Sequence, residues 1–190
     1  MGRIAAKEAV RLRLTRTDSP PPSRRDIVIR ADERGRPSLG IALDLSIAHT
    51  EGVAVAAAST RAAGIGIDVE RLDRRRGDYE RAAFTDEERR RLDEGPADRR
   101  AERALRLFCA KEAAAKATGL GLMGSPHNLH LVDCDAGLTR IELRAAGRLA
   151  QALATGAARF GAADRTAVAW VGAGDGLVIA LSRRGREGRS

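Results

Sequence analysis

Gly66-Ile67-Asp68-Val69-Glu70 and, further along, Phe108-Cys109-Ala110-Lys111-Glu112-Ala113-Ala114-Ala115-Lys116 decide the reading of this chain. In the first stretch β-branched residues alternate with carboxylates, the pattern of a strand with one dry face and one acidic face. Side chains at i and i+2 of a strand point the same way, so Asp68 and Glu70 stand side by side. The second stretch is helical, and Glu112 and Lys116, four apart, stack on one face. Three converging carboxylates with lysines beside them suit a hard divalent cation and a phosphate-bearing substrate. Oxygen donors select Mg²⁺ or Mn²⁺ over Zn²⁺, and Mg²⁺ takes a few carboxylates plus substrate phosphates.

The chain around these motifs reads as mixed structure without βαβ alternation, which predicts an α+β fold rather than a doubly wound sheet. Apolar residues at helical spacing predict a helix over Ile4–Leu14, stopped before Pro20-Pro21-Pro22. Ile27–Ile29 reads as a strand, Asp32–Gly35 as a turn, and Leu43–His49 with Val53–Ala58 as a hairpin around Thr50-Glu51-Gly52. Thr85-Asp86-Glu87-Glu88 is a capping box opening a helix to about Leu92. A long helix is expected from Asp98 to Thr118, with Gly119 just past its end. Strands are expected near Leu129–Val132, Thr139–Leu143, Thr166–Val171 and Leu177–Ser182, the last two joined through Gly172–Gly176.

Composition narrows the function classes. The net charge is +8, yet lysine occurs only at 7, 111 and 116, so two of the three lysines lie in the second motif, where a compact ammonium suits phosphate. A basic chain points to nucleic acid, acidic membranes or acidic ligands. No helix-turn-helix signal or aromatic platform accompanies the arginines, which argues against nucleic acid. No run is long enough to span a membrane and no apolar signal core follows the N-terminus, so no membrane association is expected. Cys109 and Cys134 are too few for a disulfide framework and imply a reducing, cytoplasmic setting. Gly119-x-Gly121-x-x-Gly124 matches a dinucleotide pattern only by letter, because it follows a helix instead of joining a strand to one. His127 and His130 lack a third ligand at metal-binding spacing.

G-I-D-V-E followed by F-C-A-K-E-A-A-A-K resembles the paired signature of the 4′-phosphopantetheinyl transferases. Two further stretches are similar to the same family. Arg34-Gly35-Arg36-Pro37 matches its G-[KR]-P turn, and Ser46-Ile47-Ala48-His49-Thr50 its S-x-S-H-[ST] strand, with Ala48 where serine is usual. Gly2–Arg11 resembles the helix that precedes that turn, above all in transferase domains fused to polyketide or polyunsaturated fatty-acid synthases.

The resemblance implies two similar half-domains packed as a pseudo-dimer with a site in the cleft between them. The expected division is an N-terminal half over 1–62, a C-terminal half over 63–182, and a mobile basic tail over 183–190. It implies transfer of phosphopantetheine from coenzyme A to a serine of an acyl or peptidyl carrier protein, with release of 3′,5′-ADP. Asp68, Glu70 and Glu112 would hold Mg²⁺, or Mn²⁺. Glu112, directly or through a metal-bound water, would be the base, with Lys116 and His49 neutralising phosphate oxygens. Arg3, Arg34, Arg36, His49, Lys111 and Lys116 would contact coenzyme A, Arg3 at its 3′-phosphate. Short members of the family place G-I-D near the N-terminus and form trimers. A complete segment precedes Asp68 here, which points to the longer, monomeric class, although Phe108 stands where that class commonly has tryptophan. The competing readings are a catalytically silent carrier-binding domain and a basic nucleic-acid-binding protein.

Overall fold

A computed structural model describes residues 1–16, 20–60, 64–72, 79–155 and 165–184. Helix α1 (Gly2–Leu14) is followed by β1 (Arg30–Ala31), β2 (Pro37–Ser38), β3 (Asp44–Thr50), β4 (Val53–Ser59) and β5 (Ile65–Arg71). Then come α2 (Tyr79–Ala83), α3 (Asp86–Asp93), α4 (Arg100–Thr118), β6 (Leu129–Cys134), β7 (Arg140–Ala145), α5 (Gly147–Ala154), β8 (Thr166–Gly174) and β9 (Leu177–Arg184). The expected α+β class is what the chain adopts.

Five antiparallel strands form the main sheet in the order β5-β9-β8-β7-β6, so the acidic strand is an edge strand. Its alternation sorts the side chains. Ile67 and Val69 form one small core with Ala48 of β3, flanked by Val53, Val55, Leu177 and Ile179. Gly66, Asp68 and Glu70 turn the opposite way, toward α4. A Cβ at Gly66 would stand 1.8 Å from the carbonyl oxygen of Ala113 and 2.6 Å from the amide nitrogen of Ala117. Only glycine lets strand and helix backbones approach so closely.

Buried residues occupy most of the surface of α4. Ala104, Ala110, Ala113, Ala114 and Ala115 are fully buried, joining Leu107, Ile141, Leu143, Ala169, Val178 and Ala180 in the main core. With few aromatics available, this core fills space by close backbone packing more than by large side chains. A separate cluster is smaller: α1 lays Ala6 and Val10 on Leu43 and Leu45, with Ile27 closing it.

Thr85 and Glu88 form the capping box in full, and Gly119 ends α4 with φ +73° in the left-handed region. The β3–β4 hairpin turns at Glu51-Gly52. Three expectations need correction. Ile27–Ile29 is not paired; Ile27 is buried against α1, and the short ladder is Arg30↔Ser38 and Ala31↔Pro37. The five-residue turn expected at Gly172–Gly176 shrinks to Asp175-Gly176, whose φ values of +52° and +72° suit a two-residue hairpin. Strand β9 runs to Arg184 and so takes in two residues expected to begin the tail. Residues 185–190 and the expected boundary near 61–63 lie outside the described residues. Short α2 and the whole of α5 were not expected.

Gly66→Ala should cost at least about 3 kcal/mol, because the clash is with backbone that no rotamer change relieves. Urea denaturation checks it, and a midpoint equal to the wild type would disprove the close-approach account.

Candidate active site

Asp68 is buried, with 6% of its surface exposed, and accepts a 2.7 Å hydrogen bond from Lys116 Nζ at Oδ1. Lys116 also donates to the carbonyl oxygen of Ile67 at 3.2 Å. The second oxygen of Asp68, Oδ2, is buried without a hydrogen-bond partner. Burial pushes the Asp68 carboxyl above its ordinary value, the ammonium of Lys116 pulls it back, and nearby Glu70 raises it again. Glu112 lies one turn before Lys116 on α4, and both Glu70 and Glu112 are half-buried. The strand and the helix therefore bring Asp68 and Lys116 into contact, with Glu70 two residues on along the same face of β5 and Glu112 one turn back on α4.

Lys116 lines a cleft of about 590 Å³, walled by Arg34, Gly35, Arg36 and Pro37, by Leu45, Ser46 and Ile47 of β3, and by the loop after α4. Arg34, Arg36 and Lys116 bring positive charge to it, and Leu45, Ile47, Leu120 and Met123 supply apolar surface. The arginine turn is fixed by Asp32. Its Oδ1 accepts from the backbone N–H groups of Arg34 and Arg36, each at 2.9 Å, and its Oδ2 accepts from Arg36 Nε at 2.7 Å. Those donors, Arg36 first, hold the Asp32 carboxyl below its usual range. Arg36 also donates to the carbonyl oxygen of Gly119 at 3.2 Å, clamping this turn onto the end of α4.

His49 is exposed on β3 and does not line the cleft. It shares a face with Ile47, about 7 Å further along the strand. Ile47 lines the cleft and would meet a Cβ on Gly2 at 3.2 Å. The start of α1 therefore lies against Ile47, while Arg3 and His49 are both exposed.

The expected phosphate contact from Lys111 is a correction. Lys111 is fully buried and its ammonium is spent internally: on Glu88 Oε2 at 2.6 Å, the carbonyl of Ala83 at 3.1 Å and that of Pro126 at 3.3 Å. Burial pulls its pKa down and Glu88 opposes that. Glu88 in turn accepts from the Thr85 N–H at 2.9 Å and the Leu131 N–H at 2.9 Å. Three other structural residues escaped sequence reading. Ser46 Oγ accepts from the N–H of Ile67 at 3.1 Å, tying β3 to the free edge of β5. Buried Arg103 donates to the carbonyls of Arg91, Leu92 and Ala136. Asn128 is buried beneath the loop after α4.

Among the described residues no three His, Cys, Asp or Glu side chains are gathered closely enough to form a metal cluster by themselves. The unpartnered, buried Oδ2 of Asp68 nevertheless fits a hard cation that takes its remaining ligands from substrate and water, as Mg²⁺ does. No helix among them is long and apolar enough to cross a membrane.

The family model described as the 4′-phosphopantetheinyl transferase superfamily matches residues 64–169, which spans β5, α4 and the start of β8. The chain belongs to that superfamily. Similarity to solved structures extends to the holo-[acyl-carrier-protein] synthase of Neisseria meningitidis, at 23% identity over 65% of this chain and 98% of that one, with a TM-score of 0.51. That likeness shows a shared fold. The synthase of Thermotoga maritima matches at 22% identity over 67% of this chain and 66% of that one, TM-score 0.48. The Plasmodium yoelii enzyme matches at 12% over 64% and 93%, TM-score 0.44. The chain thus spans about two thirds of the Thermotoga protein's length. No curated protein matches it significantly.

Because the folded-state pKa of Asp68 is raised above 3.8, its share of stability is greatest in acid and is lost as pH rises through the folded value. Asp68→Asn should therefore gain stability on the metal-free wild type between about pH 4 and pH 7. Urea unfolding at both pH values measures this, and a pH-independent difference would refute it.

Proposed function

We propose that this protein transfers the 4′-phosphopantetheine group of coenzyme A to a serine hydroxyl of an acyl or peptidyl carrier protein, with Mg²⁺ as cofactor and 3′,5′-ADP as the product released. The observation that carries this reading is Lys116. Its ammonium faces a cleft lined by Arg34 and Arg36 while it is held against the buried carboxylate of Asp68.

Asp68, with Glu70 and Glu112, would hold the metal. Bound there, Mg²⁺ would offset charge on the diphosphate of coenzyme A. Lys116 and Arg34 bind and orient the diphosphate, so that the β-phosphorus faces the incoming hydroxyl. The serine proton passes to the carboxylate of Glu112 as the oxygen attacks phosphorus. The bond from phosphorus to the bridging oxygen breaks, and 3′,5′-ADP leaves with that oxygen and the electron pair. Lys116 and His49 stabilise the developing negative charge. Arg3, exposed in the first turn of α1, reads the 3′-phosphate. Arg36 shapes the cleft through Asp32 and Gly119 and offers its remaining surface to the nucleotide. The pantetheine arm extends over the apolar wall. Arg3, Arg34, Arg36 and His49 come from the first 62 residues and the metal ligands from the rest. One chain therefore supplies both walls, and we read the working unit as a 20.3 kDa monomer of two half-domains.

Incubation with an apo-carrier, coenzyme A and Mg²⁺ should add one phosphopantetheine mass to the carrier by intact-mass spectrometry. Asp68→Ala and Glu112→Ala should abolish the addition while remaining folded by circular dichroism. An unmodified carrier with the wild type, or near-normal transfer by either variant, would sink the reading. Coenzyme A should also bind roughly tenfold or more tightly than its 3′-dephospho form, the effect of one charge-assisted contact to phosphate. Equal affinities in calorimetry would remove the role of Arg3.

A further inference from the structure

The loop from the end of α4 to β6 is built from backbone that side chains disfavour. Gly119, Gly121, Met123 and Gly124 have φ values of +73°, +66°, +51° and +90°. Three of them are glycines, for which this costs nothing, but Met123 is not, and left-handed backbone at such a residue persists only where its surroundings impose it. Gly119, Leu120, Gly121 and Met123 all line the cleft, as do Leu45 and Ile47. Something beneath the loop must hold it in this shape.

Asn128 does so. It is buried and lies outside the cleft lining. Its Nδ2 donates to the carbonyl oxygens of Leu122 at 2.9 Å and Met123 at 3.5 Å. Its Oδ1 accepts from the backbone N–H of Arg148 at 3.2 Å, in the first turn of α5. Its own backbone is fixed as well, with the N–H donating to the carbonyl of Ser125 at 3.1 Å and the carbonyl accepting from Ala146 at 2.8 Å. The amide orientation is determined on both sides, since carbonyls face the NH₂ and an N–H faces the oxygen. Helix α5 supplies Ala152 to the same cleft. One amide group thus joins two parts of the cleft wall, and at Gly147 a Cβ would come within 2.5 Å of its oxygen.

We propose that Asn128 is a positioning residue for ligand affinity: it holds the Leu120–Met123 wall at the spacing an extended, largely apolar ligand arm requires. The inference rests on the coenzyme A reading above, with the pantetheine arm as the part of the ligand concerned. Asn128 touches neither the reacting phosphate nor the proposed base, so its loss should weaken binding without slowing chemistry once the site is filled.

Asn128→Asp keeps the size of the side chain and the acceptor for Arg148, but turns a carboxylate oxygen toward two carbonyl oxygens. Calorimetry should show coenzyme A binding about tenfold more weakly, and KM for coenzyme A should rise in step. The kcat and the KM for the carrier should stay within about twofold of the wild type. Gly147→Ala, which presses on the Asn128 oxygen from α5, should weaken coenzyme A in the same direction, and it decides the matter if Asn128→Asp does not fold. Asp135→Ala is the control. Asp135 caps the β6–β7 turn through the N–H groups of Thr139 and Arg140, at the far end of β6. It should lower the unfolding temperature but leave coenzyme A affinity intact. Wild-type affinity in a folded Asn128→Asp or, failing that, in Gly147→Ala, or equal weakening by the control, would overturn the proposal. A wild-type protein that does not bind coenzyme A would instead bring down the functional reading on which it rests.

Discussion

The contact of β5 with α4 at Gly66 sets everything near the candidate site. With no side chain at this position, the strand backbone can lie against the turn of α4 at Ala113–Ala117. Asp68, two residues on, then reaches the Lys116 ammonium, and Glu70 follows on the same face. On its other face the same strand packs Ile67 and Val69 against the hairpin, while Ser46 takes up its Ile67 N–H. A larger residue at 66 would push strand from helix and separate Asp68 from Lys116.

The two lysines of the second motif have opposite fates for a geometric reason. Five residues apart on a helix, they point about 140° away from each other. Lys116 faces the cleft and is partly exposed, so its ammonium can be shared with a ligand. Lys111 faces the interior and meets Glu88, with neither accessible to water. A buried pair of this kind seldom adds much net stability, but losing one partner strands a charge in a dry interior. Here the pair is fully hydrogen-bonded and links the end of α2, the cap of α3, the centre of α4 and the start of β6. Its role is to fix the frame around Glu112, the next residue along.

The candidate site was legible in the sequence where its geometry follows from short-range order. A two-residue period put Asp68 and Glu70 on one face, and a four-residue step put Glu112 beside Lys116. The capping box at Thr85 and the glycine after Thr118 are likewise local signals. What stayed hidden depends on contacts distant in the chain. Nothing local to Lys111 says that Glu88 awaits it, and Asn128 looks like any loop asparagine until α5 and the Leu122–Met123 carbonyls close on it. Helix α5 was missed because Gly147 and Ala146 give it no side-chain cap. The strand expected at Ile27–Ile29 failed for a related reason: apolar residues there serve α1, and pairing begins just after them.

On the proposed function, Asp68 and the cationic cleft form one site for coenzyme A and Mg²⁺ together. Coenzyme A affinity measured by calorimetry with and without Mg²⁺, in the wild type and in Asp68→Asn, tests it most directly. Linkage between two ligands at one site predicts that Mg²⁺ tightens coenzyme A binding to the wild type and that Asp68→Asn loses most of this gain. The same Mg²⁺ effect in both proteins, or none in the wild type, would contradict the account.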